Sequence, residues 1–187
     1  MNGKLIVSAL VVPIALAVVG AAAADRFQGT DGDDVIIGTR GPDLIVAKGG
    51  NDTVDGEGGN DRIDAGAGND RVIGGGGDDR IRGDEGDDDL TGGPGNDVVR
   101  GRQGDDTLAG GDGNDVMWAG SGRDVQYGGD GNDTMHALAN DGQLDKLDCG
   151  PGRDLAIVNR NEREILIDCE RVVERAPTPA EAAADDQ

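Results

Sequence analysis

Gly74-Gly75-Gly76-Gly77-Asp78-Asp79-Arg80-Ile81-Arg82 and Gly110-Gly111-Asp112-Gly113-Asn114-Asp115-Val116-Met117-Trp118 are two copies of one nine-residue unit. The unit recurs without insertion or deletion from Gly29 to His136, with copies starting at 29, 38, 47, 56, 65, 74, 83, 92, 101, 110, 119 and 128. Position four is Gly in all twelve copies, and position six is Asp in all twelve. Position eight is apolar in eleven, the exception being Gln126. A disordered acidic tract would share this composition, with 35 Gly and one each of Trp, Tyr and Phe. Drift in phase costs such a tract nothing, yet the phase of Gly, Asp and the apolar residue holds throughout.

The residue types explain what the unit does. Glycine at the first, second and fourth positions lets the backbone turn tightly and take positive φ. Such a turn points carbonyl oxygens inward, and Asp at position six adds a hard anionic oxygen. Calcium takes six to eight oxygens in irregular geometry, so this donor set suits it. Positions seven to nine have period-two character, an apolar residue between polar or mixed ones. Two units then make one coil of turn, strand, turn, strand. Eighteen residues later the chain lies one strand spacing away, roughly 4.8 Å.

This geometry predicts an all-β, right-handed parallel β-roll. One sheet stacks Ile36, Val54, Val72, Leu90, Leu108 and Gln126 inward. The other stacks Ile45, Ile63, Ile81, Val99, Met117 and Met135. Two carboxylate ladders follow as the candidate metal ligands. Asp34, Asp52, Asp70, Asp88, Asp106 and Asp124 run along one edge, and Asp43, Asp61, Asp79, Asp97, Asp115 and Asp133 along the other. Position five is mostly Asn or Asp, as in Asn51, Asn60, Asn69, Asn96, Asn114 and Asn132. Those side chains serve either turn chemistry, since both types tolerate the left-handed region, or direct ligation.

The pattern Gly-Gly-x-Gly-x-Asp-x-apolar-x resembles the repeats of the RTX, or haemolysin-type calcium-binding, family. The resemblance implies calcium held between successive turns and folding that depends on it. Twelve units stacked every second unit give at most about ten such turn pairs.

Residues 1–24 read as a secretory signal peptide. Lys4 supplies the positive charge, Leu5 to Val19 the apolar stretch, and Ala21 to Ala24 an Ala-x-Ala cleavage site. An uncleaved anchor is the alternative, but the apolar run is short for a membrane span. This departs from the many RTX proteins that leave through a dedicated channel using a C-terminal signal. The predicted protein is secreted, with no stable membrane insertion after cleavage. Residues 25–136 form the roll, with Phe27 placed to cover its first coil. Val35, Ile37, Leu44 and Val46 make the outward face of the first two units apolar. The period fails after His136. Residues 137–175 read as a small C-terminal β cap, with strands at Asp154–Val158 and Ile165–Asp168, because solenoids need atypical ends. Residues 176–187, with two Pro and a run of Ala and acids, read as a disordered tail.

Cys149 and Cys169 bracket the cap strands, and export favours a disulfide between them. Closing a loop of that size contributes about 3 kcal/mol in the chain-entropy model. The formal charge is −21, a value at which a chain repels itself. About ten calcium ions would nearly neutralise it. So acidic a chain argues against nucleic acid as a partner. Catalysis has little support. His136 is the only His, so no HExxH site exists. Gly120-Ser121-Gly122 lacks the spacing of a nucleophile elbow, and no EF-hand loop is present. The sequence therefore predicts a non-enzymatic calcium binder. The alternative is a calcium-dependent adhesive or matrix protein that binds a polysaccharide or a cell surface. Two outward clusters bear on that alternative. Trp118 and His136 are either packed under the cap or a carbohydrate platform. Arg62, Arg80, Arg82 and Arg100 share their sheet face. They form either cross-strand ion pairs, with Asp64 one strand from Arg82, or a site for an anionic polymer.

Overall fold

The computed structural model describes residues 14–15, 25–139, 141–162 and 164–178. Apart from Ile14 and Ala15, the predicted signal peptide lies outside the described residues, as does the predicted tail from residue 179 onward. Every described element is a strand or turn. No helix among the described residues is long and apolar enough to cross a membrane.

Two parallel sheets of nine strands face each other, and the chain alternates between them. The first holds β1 (Ile14–Ala15), β3 (Val35–Ile37), β5 (Thr53–Asp55), β7 (Arg71–Ile73), β9 (Asp89–Pro94), β11 (Thr107–Asp112), β13 (Val125–Asp130), β15 (Lys146–Asp148) and β17 (Ile165–Ile167). The second holds β2 (Asp25–Gln28), β4 (Asp43–Gly49), β6 (Arg62–Ala67), β8 (Arg80–Glu85), β10 (Val98–Gln103), β12 (Val116–Ser121), β14 (Thr134–Ala137), β16 (Leu155–Asn159) and β18 (Arg171–Arg175). In both, spatial order follows chain order by twos, which is the topology of a parallel β-roll. Val54 pairs with Val72, and Ile63 with Ile81. The eighteen-residue coil expected from two units is the coil observed.

All twelve position-eight side chains point inward and are at most 2% exposed. Position one also faces inward, so the core column beside each apolar residue is Gly or Ala, with Ala47, Ala65 and Ala119 fully buried. Small residues are required there because the roll is only two side chains thick. Gln126 is buried between Leu108 and Leu147. Its Nε2 donates to the His136 carbonyl at 3.0 Å, while its Oε1 accepts nothing. A buried unmet acceptor costs about 1–3 kcal/mol. Gln126→Leu should therefore raise the melting temperature in calcium by about 2–4 °C, the gain tempered by the lost amide donor. A lower melting temperature would show that the single hydrogen bond outweighs the buried oxygen.

The first strand differs from the sequence expectation. Phe27 does not sit across the opening of the first coil. It lies in β2, paired with Ile45, as one more member of the inward stack. The strands of residues 137–175 continue both sheets with longer and shorter coils: Gln126 pairs with Leu147, Met135 with Ala156, Leu147 with Leu166, and Ala156 with Val172. The offset passes from 18 to 21, then to 19 and 16. Cys149 and Cys169 form the expected disulfide, which ties β15 to the segment entering β18. Val172 and Val173 remain about two-fifths exposed on β18, the last described strand.

Trp118 is neither packed under these strands nor a free platform. Arg100 lies 4.4 Å over its ring, and His136 stacks on it at 4.8 Å from the strand on the other side. Both ring faces are covered. The Asp64–Arg82 pair read from the eighteen-residue register is present.

Candidate metal centre

The two Asp ladders lie at the two edges where the chain turns from one sheet to the other. Each of the twelve position-six Asp residues is buried, at no more than 4% exposure. Their burial follows from the strand alternation, because positions six, eight and one point inward in every unit.

One oxygen of each carboxylate is held by the backbone. Asp61 N–H donates to Asp79 Oδ1 at 2.8 Å, Asp79 N–H to Asp97 Oδ1 at 2.8 Å, and Asp88 N–H to Asp106 Oδ1 at 2.9 Å. From Asp52 and Asp61 onward each Asp thus anchors to the turn eighteen residues before it, and the row continues along both edges. The other oxygen is left without a donor. Oδ2 of Asp52, Asp61, Asp70, Asp79, Asp88, Asp97, Asp106, Asp115 and Asp133 is buried and accepts no hydrogen bond. These oxygens point into the bend. A methyl added at Gly74 would lie 2.5 Å from Asp79 Oδ2 and 2.8 Å from the Gly92 carbonyl oxygen of the next coil. Carboxylate and carbonyl oxygens therefore converge there with no donor between them.

That arrangement asks for a cation. Among the described residues no group of three or more His, Cys, Asp or Glu side chains converges on one point. An ion in the bends must take most of its ligands from backbone carbonyls, with Asp supplying charge. Hard oxygens in irregular number suit calcium and exclude the nitrogen and sulfur donors that zinc prefers.

Burial also shifts the carboxyls. Desolvation, partly offset by the backbone hydrogen bond and reinforced by neighbouring carboxylates, raises Asp61, Asp88 and Asp97 to about 7 and Asp106 to about 8. Without metal these groups prefer a proton in the folded state. Their folded values lie above the unfolded carboxylate value, so the stability they contribute is present below about pH 4 and is lost as pH rises through 7 to 8. In chelator, the chain should show more β circular dichroism at pH 5 than at pH 8. A larger signal at pH 8 would contradict the buried, metal-free carboxylates. With calcium the trend should reverse, because protons compete with the ion for the same oxygens.

Not all turns are alike. In the first two units Thr occupies position two and supplies donors. Thr30 N–H and Oγ1 reach Asp34 Oδ2 at 2.5 and 3.0 Å, and Thr39 does the same for Asp43 at 2.6 and 3.1 Å. The Oδ2 atoms of these two Asp residues are the least dependent on an ion, while Asp34 Oδ1 is the oxygen left without a partner there. Ala47, Ala65 and Ala119 carry a methyl at position one, where in the Gly units an added Cβ would meet the Asp Oδ2 of the same bend, so the bends holding Asp52, Asp70 and Asp124 differ from the rest.

Residues beyond the twelve extend the ladders. Asp124 N–H donates to Asp145 Oδ1 at 2.9 Å, and Asp133 N–H to Asp154 Oδ1 at 2.8 Å. Glu164 and Glu170 end the rows, accepting from Asp145 and Asp154 at 2.8 Å each. The signal was present as Asp145-Lys146-Leu147 and Asp154-Leu155-Ala156, an Asp two residues before an inward apolar side chain. Position five takes the turn role rather than ligation. Asn69 N–H donates to Asn51 Oδ1 at 2.8 Å, and Asn114 N–H to Asn96 Oδ1 at 3.0 Å. This exposed ladder runs opposite in sense to the buried one.

The model of the RTX calcium-binding nonapeptide repeat, in blocks of four copies, matches overlapping segments from residue 19 to residue 144. The chain belongs to the RTX calcium-binding repeat family. No curated protein matches it significantly. Membership agrees with the parallel β-roll and with the oxygen-lined bends of the RTX units.

Proposed function

We propose that this RTX chain is a secreted, non-enzymatic protein whose roll folds when calcium enters its turns. The observation that carries this is the row of buried Asp Oδ2 atoms without donors. The twelve position-six Asp residues would supply the charge, and up to about ten ions would bind along the two edges. The signal-like residues 1–24 and the Cys149–Cys169 disulfide support export through an oxidising compartment. Affinity should suit extracellular calcium, roughly 10⁻⁴ to 10⁻³ M. Native mass spectrometry in millimolar calcium tests the reading by counting bound ions. A ladder of several calcium adducts, absent with magnesium, is expected, because magnesium demands a tight octahedron and gives up water reluctantly. A chain that keeps no calcium, or takes magnesium equally, would refute it. The second reading, a calcium-dependent adhesive protein, draws on the outer face of the second sheet.

A further inference from the structure

The outer face of the second sheet carries positive charge on a chain whose formal charge is −21. Register aligns three columns there. Arg62 and Arg80 lie in the first, Asp64, Arg82 and Arg100 in the second, and Lys48, Gly66, Asp84 and Arg102 in the third. Arg82 pairs with Asp64 and with Asp84 at 3.5 Å, and Arg102 pairs with Asp84 at 3.0 Å. Lys48, Arg62, Arg80 and Arg100 pair with no carboxylate among the described residues. Six cations thus stand against Asp64, Asp84 and Glu85.

The third column is also strained. Lys48, Asp84 and Arg102 hold φ of 87°, 85° and 94°, at the unit position that is Gly in six other copies. Side chains rarely adopt this region, and such strain gathers at functional sites. Between Lys48 and Asp84 stands Gly66, which has no side chain. The gap opens a notch of about 360 Å³ rimmed by Lys48, Arg82, Asp84, Glu85, Arg102 and Gln103.

We propose that this face binds an acidic polysaccharide, whose carboxylate or sulfate groups lie in the notch against Lys48, Arg82 and Arg102 and along Arg62, Arg80 and Arg100. Charge complementarity selects an anion. The strand spacing, roughly 4.8 Å, repeats the cations in a line that a linear polymer can follow. Nucleic acid fits less well. Trp118, the aromatic residue next to the cations, has both ring faces covered and offers no base a stacking surface. The inference rests on the calcium-loaded roll, since only ions in the bends relieve the long-range repulsion of a polyanion.

Biolayer interferometry of the full chain in millimolar calcium tests it, with heparin as the sulfated probe, polygalacturonate as the carboxylated one, and neutral dextran and duplex DNA as controls. Binding to at least one acidic glycan is expected, weakening with salt, and which glycan binds distinguishes sulfate from carboxylate. The triple variant Lys48→Ser, Arg62→Ser, Arg80→Ser removes only unpaired, exposed cations and should weaken binding about tenfold. No binding to either glycan, equal binding by the variant, or equal binding to DNA would overturn the proposal. Circular dichroism of the same samples separates the two readings. A chain that folds in calcium and ignores both glycans overturns this inference alone, whereas a chain that never folds overturns both.

Discussion

Chelating calcium should unfold the roll. One coil of eighteen residues buries two position-eight side chains, each contributing about 1.5–3 kcal/mol. The same coil buries two carboxylates, each leaving an oxygen without a donor at a cost of about 1–3 kcal/mol or more when charged. The two effects cancel, and nothing is left to oppose backbone entropy. Stacking repeats the problem, because each Asp adds a like charge beside those on neighbouring coils. Calcium reverses both terms at once by giving the orphaned oxygens a partner and neutralising the ladder. Metal binding then becomes part of the folding free energy, as in other domains without a preformed apo state. The measurement is circular dichroism during a calcium titration after chelation. We expect little β signal in chelator and a steep, cooperative rise, since each coil presents its turns to the next. Full β signal in chelator at pH 8, unchanged by millimolar calcium, would defeat this account.

The same titration ranks the ligands. Asp79→Ala should shift the midpoint to higher calcium more than Asp34→Ala. Asp79 is stacked on Asp61 and Asp97 and leaves Oδ2, the oxygen that faces the bend, bare, whereas Asp34 begins its row and its Oδ2 already receives two donors from Thr30, the bare oxygen there being Oδ1. Equal shifts would mean that the Thr donors do not substitute for the ion.

Much of this fold was legible because eleven of twelve position-eight residues and every position-six Asp keep one phase. Phase fixes coil length, and coil length fixes which side chains meet. The inward stacks, both ladders and the Asp64–Arg82 pair follow from that one number. The ends were harder to read for the same reason. Asp25-Arg26-Phe27-Gln28 has the second half of a unit, but Gly20-Ala21-Ala22-Ala23-Ala24 before it lacks the glycines of positions two and four, so little marks it as a strand until it pairs with β4. Asp145 and Asp154 keep their places in the ladders although the coil there has grown by three residues, because the extra chain is looped out before Asp145. The Thr donors and the strained Lys48, Asp84 and Arg102 were hidden differently. Position two is variable in sequence, and only the backbone shows that from Lys48 onward it takes positive φ whatever residue fills it.

Glycine substitutions separate position four from position three. Gly113, at position four, has φ of 138°. A Cβ there would collide with the Gly95 carbonyl oxygen of the coil before it, with the Gly95 carbonyl carbon and the Asn96 nitrogen also in close contact. All three are backbone atoms of a hydrogen-bonded turn and cannot swing aside as a side chain can. The φ itself lies in a region open only to Gly, at a cost of about 1–3 kcal/mol. Gly113→Ala should therefore lower the melting temperature in saturating calcium by about 10 °C or more, given about 2–4 °C per kcal/mol at this size and a clash added to the strain. It should also weaken calcium uptake, since the displaced carbonyls belong to a bend. Gly76, at position three, is the control. Its added Cβ meets nothing within 4 Å, and its φ lies outside the left-handed region. Gly76→Ala should leave the melting temperature unchanged or raise it slightly, because it removes about 0.4–1 kcal/mol of unfolded-state entropy. If both variants lost stability equally, general disturbance of the turns would account for the effect. A difference of the predicted sign would show that from Gly50 onward position four is Gly because the preceding coil leaves no room for a side chain.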